Sequence, residues 1–311
     1  MKYSNTSRVL NLVFHGLIVL AFGALGLYFG LMVAPFGLAS SHPSYTELGA
    51  PYLLYFELGV IGLTLCSISV YGFIQALKGI KENRNDEPVV KAFTAFIVEG
   101  YIAALFCLLN AVVFFDLISG NSVAFVIIVG IVLAIALMIA TNIPMVKLYD
   151  GKDQTPLLAG FAFGAAILFG WITIVDFGTL VGSWAHGVYS YYKFFNGEFL
   201  GYTLGFLAIT LMLAFAGVLL LKRAQDPKAQ KLAGHLGAGS ILLVAFAFIV
   251  NGLLELIYND TRLIHLNGEN FAWQGNGFGI ASLVIGGLVL VASIFVEVSN
   301  ATGKPMFRRK K

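Results

Sequence analysis

The stretch Leu77-Lys78-Gly79-Ile80-Lys81-Glu82-Asn83-Arg84-Asn85-Asp86-Glu87-Pro88-Val89-Val90-Lys91 decides how the chain is read. It is a short hydrophilic connector carrying Lys78, Lys81, Arg84 and Lys91, set between segments that stay apolar for more than twenty residues. A shorter echo, Leu221-Lys222-Arg223-Ala224-Gln225-Asp226-Pro227-Lys228-Ala229-Gln230-Lys231, follows some 140 residues later. The first copy orients the chain in a bilayer, and the second raises the question of a duplication.

Outward from the connector, eight apolar runs are long enough to cross a hydrocarbon core that needs about 20 helical residues. They are approximately Val9–Phe36, Tyr52–Leu77, Val89–Phe115, Val123–Leu148, Pro156–Trp184, Phe199–Leu221, Leu232–Ile257 and Phe278–Val298. Composition agrees: 59% of the 311 residues are hydrophobic and 11% are charged, against about a quarter charged in a soluble domain. Lipid offers nothing to an exposed backbone amide, so each run must be a helix or part of a closed barrel. Continuous apolarity without strict alternation excludes the barrel. The expected fold is therefore an all-α membrane protein of eight transmembrane helices. Lys2 and Arg8 precede the first run as they would in a secretory signal, but that run is too long for a signal core of roughly 7–15 residues.

Eight spans place both termini on one side, together with the connectors after the second, fourth and sixth runs. All but two of the 19 cations fall there, the exceptions being Lys193 and Arg262. The positive-inside rule then makes that side, and both termini, cytoplasmic; the expected location is the plasma membrane. The opposite side is aromatic, with Tyr45, Tyr52, Trp184, Tyr189, Tyr191, Tyr192 and Trp273 in an interfacial belt.

Superposing the second half on the first brings Glu57 onto Glu198 and Asn110 onto Asn251, each 141 residues apart, and Asp86 onto Asp226 and Lys91 onto Lys231, each 140 apart. This order predicts a tandem parallel repeat of two four-helix units, residues 1–150 and 151–311, related by an axis along the membrane normal as in one class of transporters. Glycines four apart (Gly26/Gly30, Gly160/Gly164, Gly178/Gly182, Gly201/Gly205) predict close helix packing.

Ionisable residues inside spans are costly and are functional candidates by default. Glu99 lies eight residues beyond Lys91, so roughly 12 Å deep by the helical rise, flanked by Phe96, Ile97, Val98 and Tyr101. Asp176 comes 20 residues after Pro156, roughly 30 Å on. With Asn110 and Asn251 these form a candidate intramembrane polar site. Glu57, Asp116, Glu198 and Glu255 recur at outer helix ends and form a candidate acidic vestibule, in which Glu57 and Glu198 sit where a helix N-terminus favours a carboxylate. His15 and His235 lie towards the cation-rich ends of their helices, yet nothing in the sequence pairs their depths as a bis-ligated haem would require. Glu297, near the cation-rich end of the last run, is placed to snorkel. Cys66 and Cys107 sit inside apolar runs outside any multi-ligand pattern, so no cofactor or metal is expected.

The chain lacks a phosphate-cradling glycine loop ending in Lys-Ser/Thr, a Gly-x-Ser-x-Gly elbow and a His-Glu-x-x-His pair, and an enzyme is not expected. The basic Arg308-Arg309-Lys310-Lys311 is juxtamembrane and suits anionic lipid rather than nucleic acid. The function that fits is a transporter or permease for a small solute or cation, with Glu99 as coupling acid and a site between the halves. The alternative is a non-catalytic membrane subunit that scaffolds or regulates a partner complex. The candidate partners are the lipid bilayer, a small solute or cation, and other membrane proteins or copies of this chain.

Overall fold

A computed structural model describes residues 5–33, 49–83, 87–117, 122–149, 153–185, 193–223, 225–258, 263–266, 269–272 and 275–302. Among these lie eight long helices: α1 (Asn5–Gly26, continued by a π-helical segment Leu27–Val33), α2 (Gly49–Lys81), α3 (Glu87–Leu117), α4 (Ser122–Tyr149), α5 (Thr155–Ala185), α6 (Lys193–Lys222), α7 (Pro227–Tyr258) and α8 (Gly275–Thr302). All eight contain segments long and apolar enough to cross a membrane. Between α7 and α8 the chain adds a feature not expected of an all-helical protein, an antiparallel strand pair, β1 (Leu263–Leu266) and β2 (Glu269–Ala272), with Leu263 opposite Ala272. At four residues each the strands are too short to stand out by periodicity in the sequence.

Several helix ends are set by local chemistry. Asp226 caps α7: its carbonyl takes the Gln230 amide, its side chain takes the Lys228 amide at 2.9 Å, and Pro227 occupies the first helical position, where no amide hydrogen is needed. Before α5, Asp153 accepts the Thr155 amide at 2.9 Å, and this bonding by Thr155 holds its carboxyl below the usual range. Its contribution to stability is present above the unfolded value and is lost as pH falls through the depressed folded value.

At the other end of α2, Asn83 adopts φ 49°, the left-handed cap conformation that Asn tolerates better than any β-branched residue. Its side-chain oxygen accepts both Arg8 guanidinium nitrogens at 3.1 and 3.2 Å, and Arg8 also donates to the Gly79 carbonyl at 3.0 Å. A cation over the last carbonyls of a helix complements its dipole. Asn83→Val is expected to lower unfolding stability in detergent by about 1–2 kcal/mol from the left-handed backbone alone, with the lost Arg8 contact adding to it. A denaturant titration unchanged from wild type would contradict this assignment.

The first half is organised around α2, which packs against α1, α3 and α5 and has the largest share of its span buried, 56% against 11% for α4. Ile61, Leu65 and Ile68 of α2 meet Ala95, Val98 and Ile102 of α3, with Ile18 and Phe22 of α1 and Phe161 of α5 around them. The two halves meet mainly through α5. Val60 and Leu63 pack on Val175, Trp171 Nε1 donates to Ser67 Oγ at 2.9 Å, and Gly160 and Gly164 lie against Val98, Thr94 and Ile102. In lipid, where burial of apolar surface supplies no drive, contacts of this closeness hold helices together. Gly26 and Gly30 likewise meet Gly62 and Gly59 of α2. Gly201 and Gly205 differ from the expectation: a methyl there would touch nothing within 4 Å. Gly182 lies outside the residues whose side-chain environment is described.

Candidate functional site

Helix α1 runs antiparallel to α2 in constant register, with Arg8 at Gly79, His15 at Ser69 and Gly72, Gly23 at Cys66, Gly26 at Gly62 and Gly30 at Gly59. This register carries His15 into the space between α2 and α3. Gly72 makes room for it: a Cβ there would stand 2.5 Å from the imidazole Cε1 and Nε2. The ring is fully buried, edge-on to Phe14, and Phe14 stacks edge-on against Phe96 of α3.

Three polar side chains converge there. Ser69 Oγ donates to Glu99 Oε1 at 2.6 Å; His15 Nδ1 lies 3.2 Å from Ser69 Oγ and 3.3 Å from Glu99 Oε1; His15 Nε2 lies 3.1 Å from the Ala92 carbonyl. His15 and Ser69 have no exposure and Glu99 has 4%. Its second oxygen, Oε2, is buried with no hydrogen-bond partner among the described residues.

Hydrogen positions follow from what each group can do. A carbonyl only accepts, so Nε2 carries a hydrogen. The Ser69 hydrogen goes to Glu99, which leaves Nδ1 facing oxygen lone pairs on both sides. The contact is attractive only if one further proton is present. On Nδ1 it makes an imidazolium that donates to Ser69 and Glu99; on Glu99 it makes a carboxylic acid that donates to Nδ1. In either arrangement the cluster is neutral overall, the state that burial in a low-dielectric interior favours.

The other sequence candidates fall elsewhere. Asp176 is buried on α5 and accepts a 2.6 Å hydrogen bond from Thr203 of α6. Glu99 bonds only within α1–α3 among its described partners, and Asp176 bonds to α6, so each acid is held inside its own half. At the α2–α5 contact between the halves the described residues form an apolar cluster and the Trp171–Ser67 bond. Asn251 bridges α6 and α8 through long contacts, 3.5 Å from Tyr202 Oη and 3.4 Å from Ser282 Oγ. Glu57 is half-buried on α2, with Oε2 buried and unpartnered among the described residues. Because α2 begins at Gly49, Glu57 lies two turns inside the helix, beyond the reach of the dipole that the sequence assigns it. Glu198 is five residues inside α6. The side chains of Asn110, Asp116, Glu198 and Glu255 lie outside the described residues.

Two pairings escaped the sequence. His15 meets Glu99, and His235 of α7 meets Glu297 of α8 at 2.8 Å, which replaces the expected snorkelling of Glu297. The first left a signal: His15 lies seven residues past Arg8 and Glu99 eight past Lys91, similar depths from the cation-rich edge. Among the described residues no group of three or more His, Cys, Asp or Glu side chains is placed to hold a metal ion. No protein-family model, no curated protein and no solved structure matches this chain.

Proposed function

We propose that this polytopic membrane protein is a transporter or permease-like carrier of a small solute, with the His15–Ser69–Glu99 cluster as its coupling site and the proton as coupling ion. The observation that carries the reading is the Glu99 carboxyl, buried with one oxygen shared by His15 and Ser69 and the other without a partner among the described residues. Removing the shared proton leaves a buried carboxylate opposite a bare Nδ1, an arrangement that persists only if the helices shift or another cation enters. Proton release is thereby tied to movement of α1 against α2 and α3, which is what coupling requires. The distribution of Lys and Arg supports a plasma-membrane orientation with both termini cytoplasmic, and the ordered matches between the halves support descent from a duplicated four-helix unit.

The test is uptake into reconstituted vesicles of a solute found by a thermal-shift screen. A one-unit pH gradient is expected to drive about tenfold accumulation for each proton coupled, and Glu99→Gln is expected to abolish the pH dependence. If the variant is expressed normally and retains both uptake and its response to pH, the coupling role is lost. Co-purification of other chains at fixed stoichiometry, with no solute stabilising the protein, would favour the subunit reading instead.

A further inference from the structure

The buried face of α1 changes character along its length. From Arg8 to His15 it is polar: Arg8, Asn11 and His15 are 5%, 6% and 0% exposed, whereas Leu10 and Leu17 on the opposite face are each 62% exposed. Positions i, i+3 and i+7 form one stripe of a helix. Arg8 ends this stripe at the last turn of α2, and His15 ends it at Glu99. Asn11 lies between them with its amide Nδ2 buried and without a hydrogen-bond partner among the described residues. A donor at Asn11, one turn before His15, and an acceptor at Glu99 Oε2, beside His15, are thus both unsatisfied among the described residues, and such groups are where buried water resides.

Beyond His15 the same face of α1 is closed. Ile18 and Phe22 join the apolar cluster of α2 and α3, and Gly23 lies on Cys66. Gly26 and Gly30 then press backbone to backbone on Gly62 and Gly59, where a single methyl would clash. The π-helical segment Leu27–Val33, a loosened backbone ladder of the kind often found at functional sites, sits at this seal.

We infer that the His15–Glu99 site exchanges its proton with the cation-rich side of the membrane along the Arg8–Asn11–His15 stripe, and that the Gly26–Gly62 and Gly30–Gly59 contacts close it towards the other side. This rests on reading Glu99 as a proton-holding acid. The neighbouring titratable groups have other places. Lys78 and Lys81 lie in the last turn of α2 and Glu82 follows it, and Glu87 pairs with Lys91 at 2.6 Å at the start of α3. Tyr101 bonds Asn142, Tyr149 bonds Thr94, and Asp176 bonds Thr203.

The experiment labels the wild-type protein in sealed vesicles with dicyclohexylcarbodiimide, which partitions into lipid. A protonated carboxyl gives its proton to a carbodiimide nitrogen as its oxygen adds to the central carbon; acyl transfer to nitrogen then leaves a stable N-acylurea, with no change of oxidation state. Mass spectrometry of the Glu99 peptide reads the label, Glu99→Gln supplies the blank, and protease removal of an N-terminal tag reports orientation. Acidifying only the side that carries the tag is expected to raise labelling by up to about tenfold per pH unit, the limit for a one-proton equilibrium. Acidifying only the other side is expected to leave it unchanged. Labelling that follows the other side, or both equally, overturns the inferred sidedness while the proton reading stands. Labelling indifferent to pH on both sides overturns the proton reading and the inference with it. Asn11→Leu, apolar and of similar size, is expected to slow the one-sided response several-fold; an unaltered response removes the stripe as the route.

Discussion

The double replacement His15→Leu/Glu99→Leu is expected to unfold at higher denaturant than either His15→Leu or Glu99→Leu alone. Each single change strands one polar partner. In His15→Leu the Glu99 carboxyl keeps only Ser69 at Oε1 and nothing described at Oε2. In Glu99→Leu an imidazole with no exposure keeps Ala92 and Ser69 but loses its acid. Removing one member of a buried pair costs about 3–5 kcal/mol, whereas replacing the whole pair by apolar side chains is often neutral or stabilising. The coupling energy in a double-mutant cycle should therefore be large and favourable, with the double variant within about 2 kcal/mol of wild type. Titration of the purified protein into an unfolding detergent measures all four corners. Additive losses would mean that His15 and Glu99 do not share a proton and that their closeness is incidental. The comparison also separates stability from function, because the double variant is expected to fold and yet to have lost its response to pH.

The register behind this pairing is the part of the protein that the sequence hides. The eight crossings were legible because lipid imposes a length and an apolarity on each span independently of its neighbours, and the described spans overlap the runs read from composition, as Phe56–Lys81 does with Tyr52–Leu77. Glu99 stood out for the same local reason: its depth can be counted from Lys91. His15 could not be joined to it from one chain alone. The pairing depends on α1 lying antiparallel on α2 with Gly72 open beneath the ring, a property of two helices together. The Trp171–Ser67 bond across 104 residues is hidden in the same way. The dipole argument for Glu57 failed because an apolar run beginning at Tyr52 does not mark the helix start at Gly49. Glycine spacing predicted close packing for Gly26/Gly30 and Gly160/Gly164 but also for Gly201/Gly205, where no described residue approaches. Spacing alone does not say which face of a helix is covered.

That difference among the glycines gives the second large effect. Gly59→Ala and Gly62→Ala are each expected to destabilise the α1–α2 pair by about 1–3 kcal/mol, the range for adding methyl groups to a packed interior. A methyl on Gly62 would lie 2.8 Å from Gly26 Cα and N and 3.0 Å from the Phe22 carbonyl; one on Gly59 would meet the Gly30 backbone and Phe29 C at 2.9 Å. These are main-chain atoms, so no side chain can rotate away and α1 itself must retreat. Retreat is costly here because dispersion between the closely apposed backbones, rather than expulsion of water, holds the helices together. Gly201→Ala and Gly205→Ala provide the control, since a methyl there meets open space. They are expected to be neutral or to stabilise by up to about 1 kcal/mol through helix propensity. If all four alanines behaved alike in a denaturant titration, the close approach of α1 to α2 would not be what holds this pair. If only Gly59→Ala and Gly62→Ala weaken the protein, the same contacts both fix the register that brings His15 to Glu99 and close the site on the side away from Arg8. Loosening them should then make carbodiimide labelling of Glu99 respond to acid on both sides of the membrane, where wild type responds on one.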